Sequence, residues 1–366
     1  MLIGVLGAGQ LGRMLALAGY PLGVRCIFLD PHAGAPAGQL AEQIVAPYED
    51  ASALEQLARA DVVTYEFESV PEAAARQLAG RVPVRPSPEA LSVAQDRLHE
   101  KTLCQTLGIP TAAFRGVSDE RELEAAVTAI GLPAVLKTRR LGYDGKGQRI
   151  LHQAADAVPA WRALGSVPAI LERFVEFARE LSLLAVRGTD GRIGYYPLIE
   201  NQHKDGILRL SLAPAPRATA ALQAEAEAMG KKLLDRLDYT GVLALELFET
   251  PAGLLANEIA PRVHNSGHFT IEGAVTSQFE NHLRAVAGLP LGSTALIGHS
   301  AMINLVGDVP ERAAVLAVEG AHLHLYGKPA RAGRKLGHIT FCGSDAVTRD
   351  AGVAKLEAIL AASARG

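Results

Sequence analysis

Hydrophobic positions along this chain fall into two kinds of run, and the difference between them predicts its elements. Leu2 to Leu6 is apolar at every position rather than at alternate ones, the pattern of a parallel strand buried on both faces. It leads into Gly7-Ala8-Gly9-Gln10-Leu11-Gly12, a helical stretch from Arg13, and a second apolar run from Val24 to Leu29 that ends in Asp30. Strand, glycine turn, helix and strand in that order predict the opening of an α/β unit. Asp61 to Phe67 and Val82 to Val84 predict two further strands, and the proline-rich Arg85-Pro86-Ser87-Pro88 predicts a boundary.

A helical pattern from Glu89 to Leu107 is stopped by Gly108-Ile109-Pro110. The next stretch predicts a helix over Glu120 to Ile130, a strand over Ala134 to Lys137, a glycine-rich loop from Gly142 to Gln148 and a strand over Ala169 to Glu172. Two strands (LSLLAV, then RIGYYPL) and an amphipathic helix from Ala218 to Leu237 follow. The apolar runs Val242 to Phe248 and Leu254 to Ile259 flank Thr250-Pro251-Ala252-Gly253, which is turn chemistry, so they predict an antiparallel hairpin. From about Ala301 come short strands, including His322 to Tyr326, then a basic loop and an alanine-rich terminal helix.

Composition narrows the function. A chain of 366 residues, 49% of them apolar, has material for two or three packed domains and excludes disorder. Lys and Arg number 36 against 39 Asp and Glu, so no basic excess exists to neutralise a polymeric nucleic acid. Cys26, Cys104 and Cys342 are too scattered for a zinc ribbon or a disulfide framework, and they fit a reducing cytoplasm. The apolar opening lacks a basic flank and never reaches about 18 uninterrupted apolar residues, so neither signal peptide nor membrane span is expected.

Four features could carry chemistry. The first glycine turn with Asp30 matches a dinucleotide fingerprint, although such turns also open many α/β domains that bind no nucleotide. The second loop, GYDGKGQ, follows a strand ending in Lys137; its backbone N–H groups could close over a triphosphate while the lysine supplies a point charge. Glu246 and Glu258 stand among apolar neighbours on the two arms of the hairpin. Buried like charges there need protonation or a cation between them, and Mg²⁺ bridging phosphates is held by one or two carboxylates. Asn257 adds an oxygen donor, and Arg262, His264 and Asn265 follow in the next loop. Lys328, Arg331, Arg334 and Lys335 crowd into eight residues, a solvated face or a phosphate clamp.

The order of motifs GxGQLG, an EFE strand, DR with a later strand lysine, GYDGKGQ, LExF followed by REL, NEIAPRVHNSGH and GRKLGH resembles the ATP-grasp carboxylate-amine ligases over nearly the whole chain. Within that family the chain is most similar to the branch acting on 5-aminoimidazole ribonucleotide in purine biosynthesis. The resemblance implies a Rossmann-like pre-ATP-grasp domain (1–95), a small lid domain (96–175) and a larger C-terminal domain (176–366), an α/β fold with α+β character overall. It implies ATP contacts from Arg97, Lys137, Gly142, Tyr143, Asp144, Gly145, Lys146, Gly147, Gln148 and His203, an adenine hinge of Glu172, Arg173, Phe174 and Val175, and Glu180 on the ribose. Glu246 and Glu258 match magnesium ligands, with Asn257 beside them. The positions matching the ribonucleotide site are Gln10, Leu11, Glu66, Tyr143, Asp144, Arg262, His264, Asn265, Lys328, Arg334 and Lys335. Lys146 departs from relatives that carry arginine there, which keeps the charge and loses the planar fork.

The implied reaction consumes ATP, bicarbonate and the ribonucleotide and passes through carboxyphosphate, with Lys137 and Arg262 at the reacting groups and Asp144 or His264 moving the proton. A homodimer is implied by analogy alone. An NAD(P)-dependent oxidoreductase resting on Gly7 to Gly12 and Asp30, a catalytically silent ATP-binding module, and a sister ligase with another substrate remain open at this point.

Overall fold

The structure, a computed structural model, describes residues 1–142 and 145–363. The expectations placed on Tyr143 and Asp144 lie outside the described residues. Leu2–Leu6 (β1), Arg25–Asp30 (β2), Glu42–Val45 (β3) and Val62–Tyr65 (β4) form a parallel sheet in the order β3-β2-β1-β4. β1 lies inside it and is buried from Ile3 to Leu6, which is why its sequence does not alternate. The strand expected at Val82 to Val84 reduces to one bridge between Val63 and Val84, because Pro83 has no N–H with which to extend a ladder.

The single helix expected over Glu89 to Leu107 is two, Pro88–Ala94 and Arg97–Thr106. Asp96 divides them. Its carboxylate accepts from Leu98 N–H at 3.0 Å, capping the second helix, and takes Arg139 through Nε at 2.9 Å and Nη2 at 2.7 Å. Phe114–Val117 (β5), Ala134–Thr138 (β6), Gln148–Leu151 (β7) and Ala169–Arg173 (β8) then build an antiparallel sheet in the order β5-β8-β6-β7. Helix Glu120–Ile130 packs on it through Leu123, Ala126, Val127 and Ile130, against Leu136 and Leu171.

The third sheet comprises Arg179–Arg187 (β9), Ile193–Tyr195 (β10), Ile199–Lys204 (β11), Ile207–Ala213 (β12), Gly241–Thr250 (β13), Gly253–Ala260 (β14), His299–Val306 (β15), Ala321–Leu325 (β16) and Lys335–Gly343 (β17). Its order is β14-β13-β9-β11-β12-β15-β17-β16, with β10 against β9. β9 is buried from Leu181 to Val186, between helix Ala220–Arg236 on one face and helix Gln278–Ala287 on the other. Each fully buried leucine there is worth roughly 1.5–3 kcal/mol, so this strand anchors the hairpin β13–β14 beside it. The parallel sheet docks onto the same body through a shared core in which Leu11, Met14 and Leu15 meet Val242, Phe279 and Leu283. Among the described residues, no helix is long and apolar enough to cross a membrane.

Candidate active site

The hairpin has the register its sequence requires: Glu246 on β13 stands opposite Glu258 on β14. Directly opposed residues share a face, so both carboxylates line one cleft, of about 430 Å³. After Glu246 the register slips, and Leu247 pairs with Ala256. Asn257 is therefore an extra residue on β14, a bulge that brings two consecutive side chains, Asn257 and Glu258, to the cleft.

Separate basic side chains attend the two acids. His264 Nε2 is 3.0 Å from Glu246 Oε1, and Arg97 Nη2 is 3.8 Å from Glu258 Oε1. Burial pushes the Glu246 carboxyl up, but the hydrogen bond from His264, with His203 and Arg262 nearby, outweighs it and holds the group below the usual carboxylate range. Glu258 shifts the opposite way: burial raises it, and Glu246 adds to the rise against the pull of Arg97 and Lys137. Among the described residues no group of three or more His, Cys, Asp or Glu is gathered for a metal. Two carboxylates on one face, with room beside them, fit a hard divalent ion that takes its remaining ligands from phosphate oxygens and water.

The sheet β5–β8 faces this pair. Lys137 on β6 and Lys101 place their ammonium groups 3.1 and 3.5 Å from Glu172 Oε2 on β8. Burial opposes ionisation of Glu172, yet the two lysines hold it down at about 2. Glu172, Arg173, Phe174 and Val175 all line the cleft. The Glu172 carboxylate is engaged by the two lysines, and its backbone by the β5-β8-β6 ladder. Val135, Ile150, Phe177 and Phe248 add an apolar end, the two phenylalanine rings stacking at 4.5 Å. Glu180 Oε2 lies 3.1 Å from His203 Nδ1, and although burial depresses that histidine, its bond to Glu180 raises it overall.

Of the glycine loop, Gly145, Lys146 and Gln148 line the cleft. Gly142 and Gly147 shape the loop instead: Gly142 O accepts from Arg97 at 2.9 Å, and Gly147 O accepts from Thr138 N–H at 2.8 Å. Gly145 has φ +72° and a Cβ there would stand 2.9 Å from Gly206 Cα. The loop thus rests on the turn between β11 and β12, an approach only glycine permits.

Arg262, His264, Asn265 and Lys335 close the far end of the cleft. Arg262 pairs with Glu68, the other acid of the EFE segment, which the sequence reading passed over. Asn265 and Asn304 exchange two side-chain hydrogen bonds of 3.0 and 2.7 Å, and His264 Nδ1 is 2.8 Å from Ser266 Oγ. Lys328 reaches the Gln10 side chain of the first glycine turn and stands 5.8 Å over the Tyr326 ring. Arg334 is next to this group but outside the cleft lining, donating to Pro329 O at 3.4 Å. The Leu11 side chain is buried in the core, packed with Met14 and Leu15, so any contact it makes with a ligand is through its backbone.

The dinucleotide reading fails on the same turn. Glu66 accepts from Gly9 N–H at 2.8 Å and Gly12 N–H at 2.9 Å, so the chain's own carboxylate fills the anion position at the helix N-terminus. Asp30 accepts from Ala8 N–H at 3.0 Å and His32 N–H at 2.8 Å, and is equally committed.

Comparison with known proteins agrees with this geometry. Residues 1–95 match the ribonucleotide synthetase preATP-grasp domain, 102–279 the ATP-grasp domain, and 300–351 the phosphoribosylaminoimidazole carboxylase C-terminal domain. An N5-carboxyaminoimidazole ribonucleotide synthase of Pseudomonas aeruginosa is 57% identical over 363 residues, which are 99% of this chain and 100% of the relative. The chain belongs to the N5-carboxyaminoimidazole ribonucleotide synthases. The synthetase of this family from Thermus thermophilus is similar throughout, with 57% identity, a TM-score of 0.94 and 98% of each chain covered. A synthase from Aspergillus clavatus, solved with ADP and 5-aminoimidazole ribonucleotide, has 32% identity and a TM-score of 0.91 over 98% of each chain. Membership in the synthases decides between ligase and dehydrogenase, which the first glycine turn left open.

Proposed function

We propose that this chain joins bicarbonate to the amine of 5-aminoimidazole ribonucleotide at the expense of ATP, giving the N-carboxylated ribonucleotide, ADP and phosphate. One observation carries the reading: a single cleft holds Lys137 on the lid sheet, the paired Glu246 and Glu258 on the hairpin, and Arg262, His264 and Asn265 at its far end. The stacked Phe177 and Phe248 with Val135 and Ile150 suit a purine ring, and Lys137, Lys146 and Arg97 suit the phosphates. Glu246 and Glu258 would hold Mg²⁺, which when bound supplies Lewis-acid stabilisation of the phosphoryl oxygens.

Bicarbonate is a poor electrophile. An oxygen of bicarbonate attacks the γ-phosphorus, the bond to the β-bridging oxygen breaks, and carboxyphosphate and ADP result; Lys137 offsets charge on the transferring group. Carboxyphosphate hydrolyses readily, so the glycine loop resting on the β11–β12 turn has to exclude water while the amine captures the carboxyl carbon and phosphate leaves. The amine then loses a proton. Asp144 and His264 stay the candidates to take it, and His264, hydrogen-bonded to Glu246, stands at the cleft end where Arg262 and Asn265 would hold the ribonucleotide. Lys328, Gln10, Arg334 and Lys335 would grip its phosphate.

Phosphate release from ATP tests the reading: it should depend on bicarbonate and aminoimidazole ribonucleotide together, and release indifferent to both would overturn it. Glu258→Gln should lower turnover by orders of magnitude with the fold intact by circular dichroism, while near-normal turnover would remove Glu258 from the metal site. A homodimer belongs to the same proposal. Val275 and Ile297, 59% and 56% exposed, sit on adjoining segments and offer an apolar surface for a second copy. The three free cysteines fit a reducing cytoplasm.

A further inference from the structure

The helix Arg97–Thr106 carries two ionisable residues that no step above uses, Glu100 and Lys101, each 2% exposed. They face β14, the edge strand of the large sheet. In a regular edge strand the backbone groups of every second residue point outward. On β14 outward-pointing groups fall on Ala256 and Ile259, three apart, a spacing that the bulge at Asn257 creates. Ala256 N–H donates to Pro110 O at 2.8 Å, Ala256 O accepts from Lys101 Nζ at 3.1 Å, and Ile259 N–H donates to Glu100 Oε1. The two side chains therefore bracket Asn257 and Glu258, taking the place of a neighbouring strand. Lys101 also lies 3.5 Å from Glu172, whose same oxygen holds Lys137.

From this we infer that Glu100 and Lys101 are positioning residues that clamp the β14 bulge so that Glu258 and Asn257 face the nucleotide cleft in register with Lys137. The inference rests on the reading of Glu258 as a magnesium ligand. Without the clamp the bulge can relax to regular pairing, which by the period of two turns one of the two side chains away from the cleft.

Binding of Mn²⁺ to the full-length protein in the presence of ADP, followed by electron paramagnetic resonance, separates the possibilities. Lys101→Met keeps the length of the side chain and removes the donor; it should weaken Mn²⁺ binding about 10- to 100-fold, the range for losing a group that orients a metal ligand, and leave the KM for the ribonucleotide within about twofold. Lys101→Arg, which still donates to Ala256 O, should recover most of that loss. Glu100→Gln keeps an acceptor for Ile259 N–H and should bind Mn²⁺ nearly as the parent does, whereas Glu100→Ala should not; this pair decides the matter alone if Lys101→Met does not fold. Unchanged Mn²⁺ affinity in Lys101→Met and Glu100→Ala, or equal losses in both Glu100 variants, overturns the clamp. Glu258→Gln is the reference arm: if it retains Mn²⁺ affinity the metal assignment has failed, and if it alone loses it the clamp has failed.

Discussion

Lys328 shows how much a single side chain's surroundings can alter its chemistry. Burial strips water from its ammonium group, Arg334 and Lys335 repel it, and Glu66 only partly compensates, so the group is pulled down to about 8. A lysine shifted this way is charged below that value and neutral above it, and a phosphate dianion needs the charged form. The KM for the ribonucleotide should therefore be flat up to about pH 7 and climb as pH passes through 8, with the KM for ATP unmoved. Lys328→Arg should remove the climb, because a guanidinium stays charged throughout that range. Initial rates across pH 6.5 to 9.5 (roughly one and a half units either side, enough to define a titration) check both statements; a parallel climb for ATP would assign the titration elsewhere. Arg334→Ala tests the neighbouring charge. It should raise the KM for the ribonucleotide by about tenfold, on the order of 1.4 kcal/mol for a charge-assisted phosphate contact, and an equal rise for ATP would count against the clamp.

At the scale of elements, the first glycine turn and its helix behave as one unit with Glu66. The helix begins at Gln10, three residues before the hydrophobic periodicity becomes readable, because Gly9 and Gly12 N–H groups are satisfied by a carboxylate 57 and 54 residues away in sequence rather than by a local cap. Glu66→Ala should destabilise the protein by about 1–3 kcal/mol, the cost of leaving buried N–H groups without a partner, measured by urea unfolding, and should confer no affinity for NAD. A loss below a few tenths of a kcal/mol would mean that water replaces the carboxylate without cost. The same logic explains which elements could be read from sequence. β1, β6, β8 and the hairpin were legible because apolar residues fill them continuously. β11 (IENQHK) and β7 (QRIL) were not, since polar residues break their apolar pattern: His203 and Gln148 line the cleft, His203 meeting Glu180, and Asn201 bridges Ser182 and Ser211 within the sheet. Likewise Glu246 and Glu258 stood out against apolar neighbours, whereas Glu68, Glu100 and Lys101 sit where an amphipathic helix or loop ordinarily carries solvated charge. Leu11 is the complementary case, a motif residue whose side chain serves the core.

Across the whole molecule, the parallel sheet must stay seated on the large sheet for Glu68 to meet Arg262 in the cleft and Gln10 to meet Lys328. One buried residue spans that seam. His282, on helix Gln278–Ala287, accepts from Val242 N–H at Nδ1 (3.1 Å) and lies 2.9 Å from Thr64 Oγ1 at Nε2. Since Nδ1 accepts, the neutral ring carries its proton on Nε2 and donates to the threonine, which binds β4 to β13 through one side chain. Protonation would force Nδ1 to donate toward an N–H. Burial accordingly pulls His282 down to about 4 from an ordinary value of 6.5. Because the folded value lies below the unfolded one, the contribution is fully present above pH 6.5 and is lost as pH falls through about 4; a shift of that size corresponds to at most on the order of 3 kcal/mol. Denaturant unfolding at a series of pH values should show stability falling over that window. His282→Gln cannot titrate, so its stability should be lower at neutral pH and should fall less steeply in acid. Were the parent and His282→Gln to lose stability in parallel from pH 6.5 to 4, the seam would owe its acid sensitivity to other groups, and Thr64→Val would then separate the hydrogen bond across the two sheets from the titration of the ring.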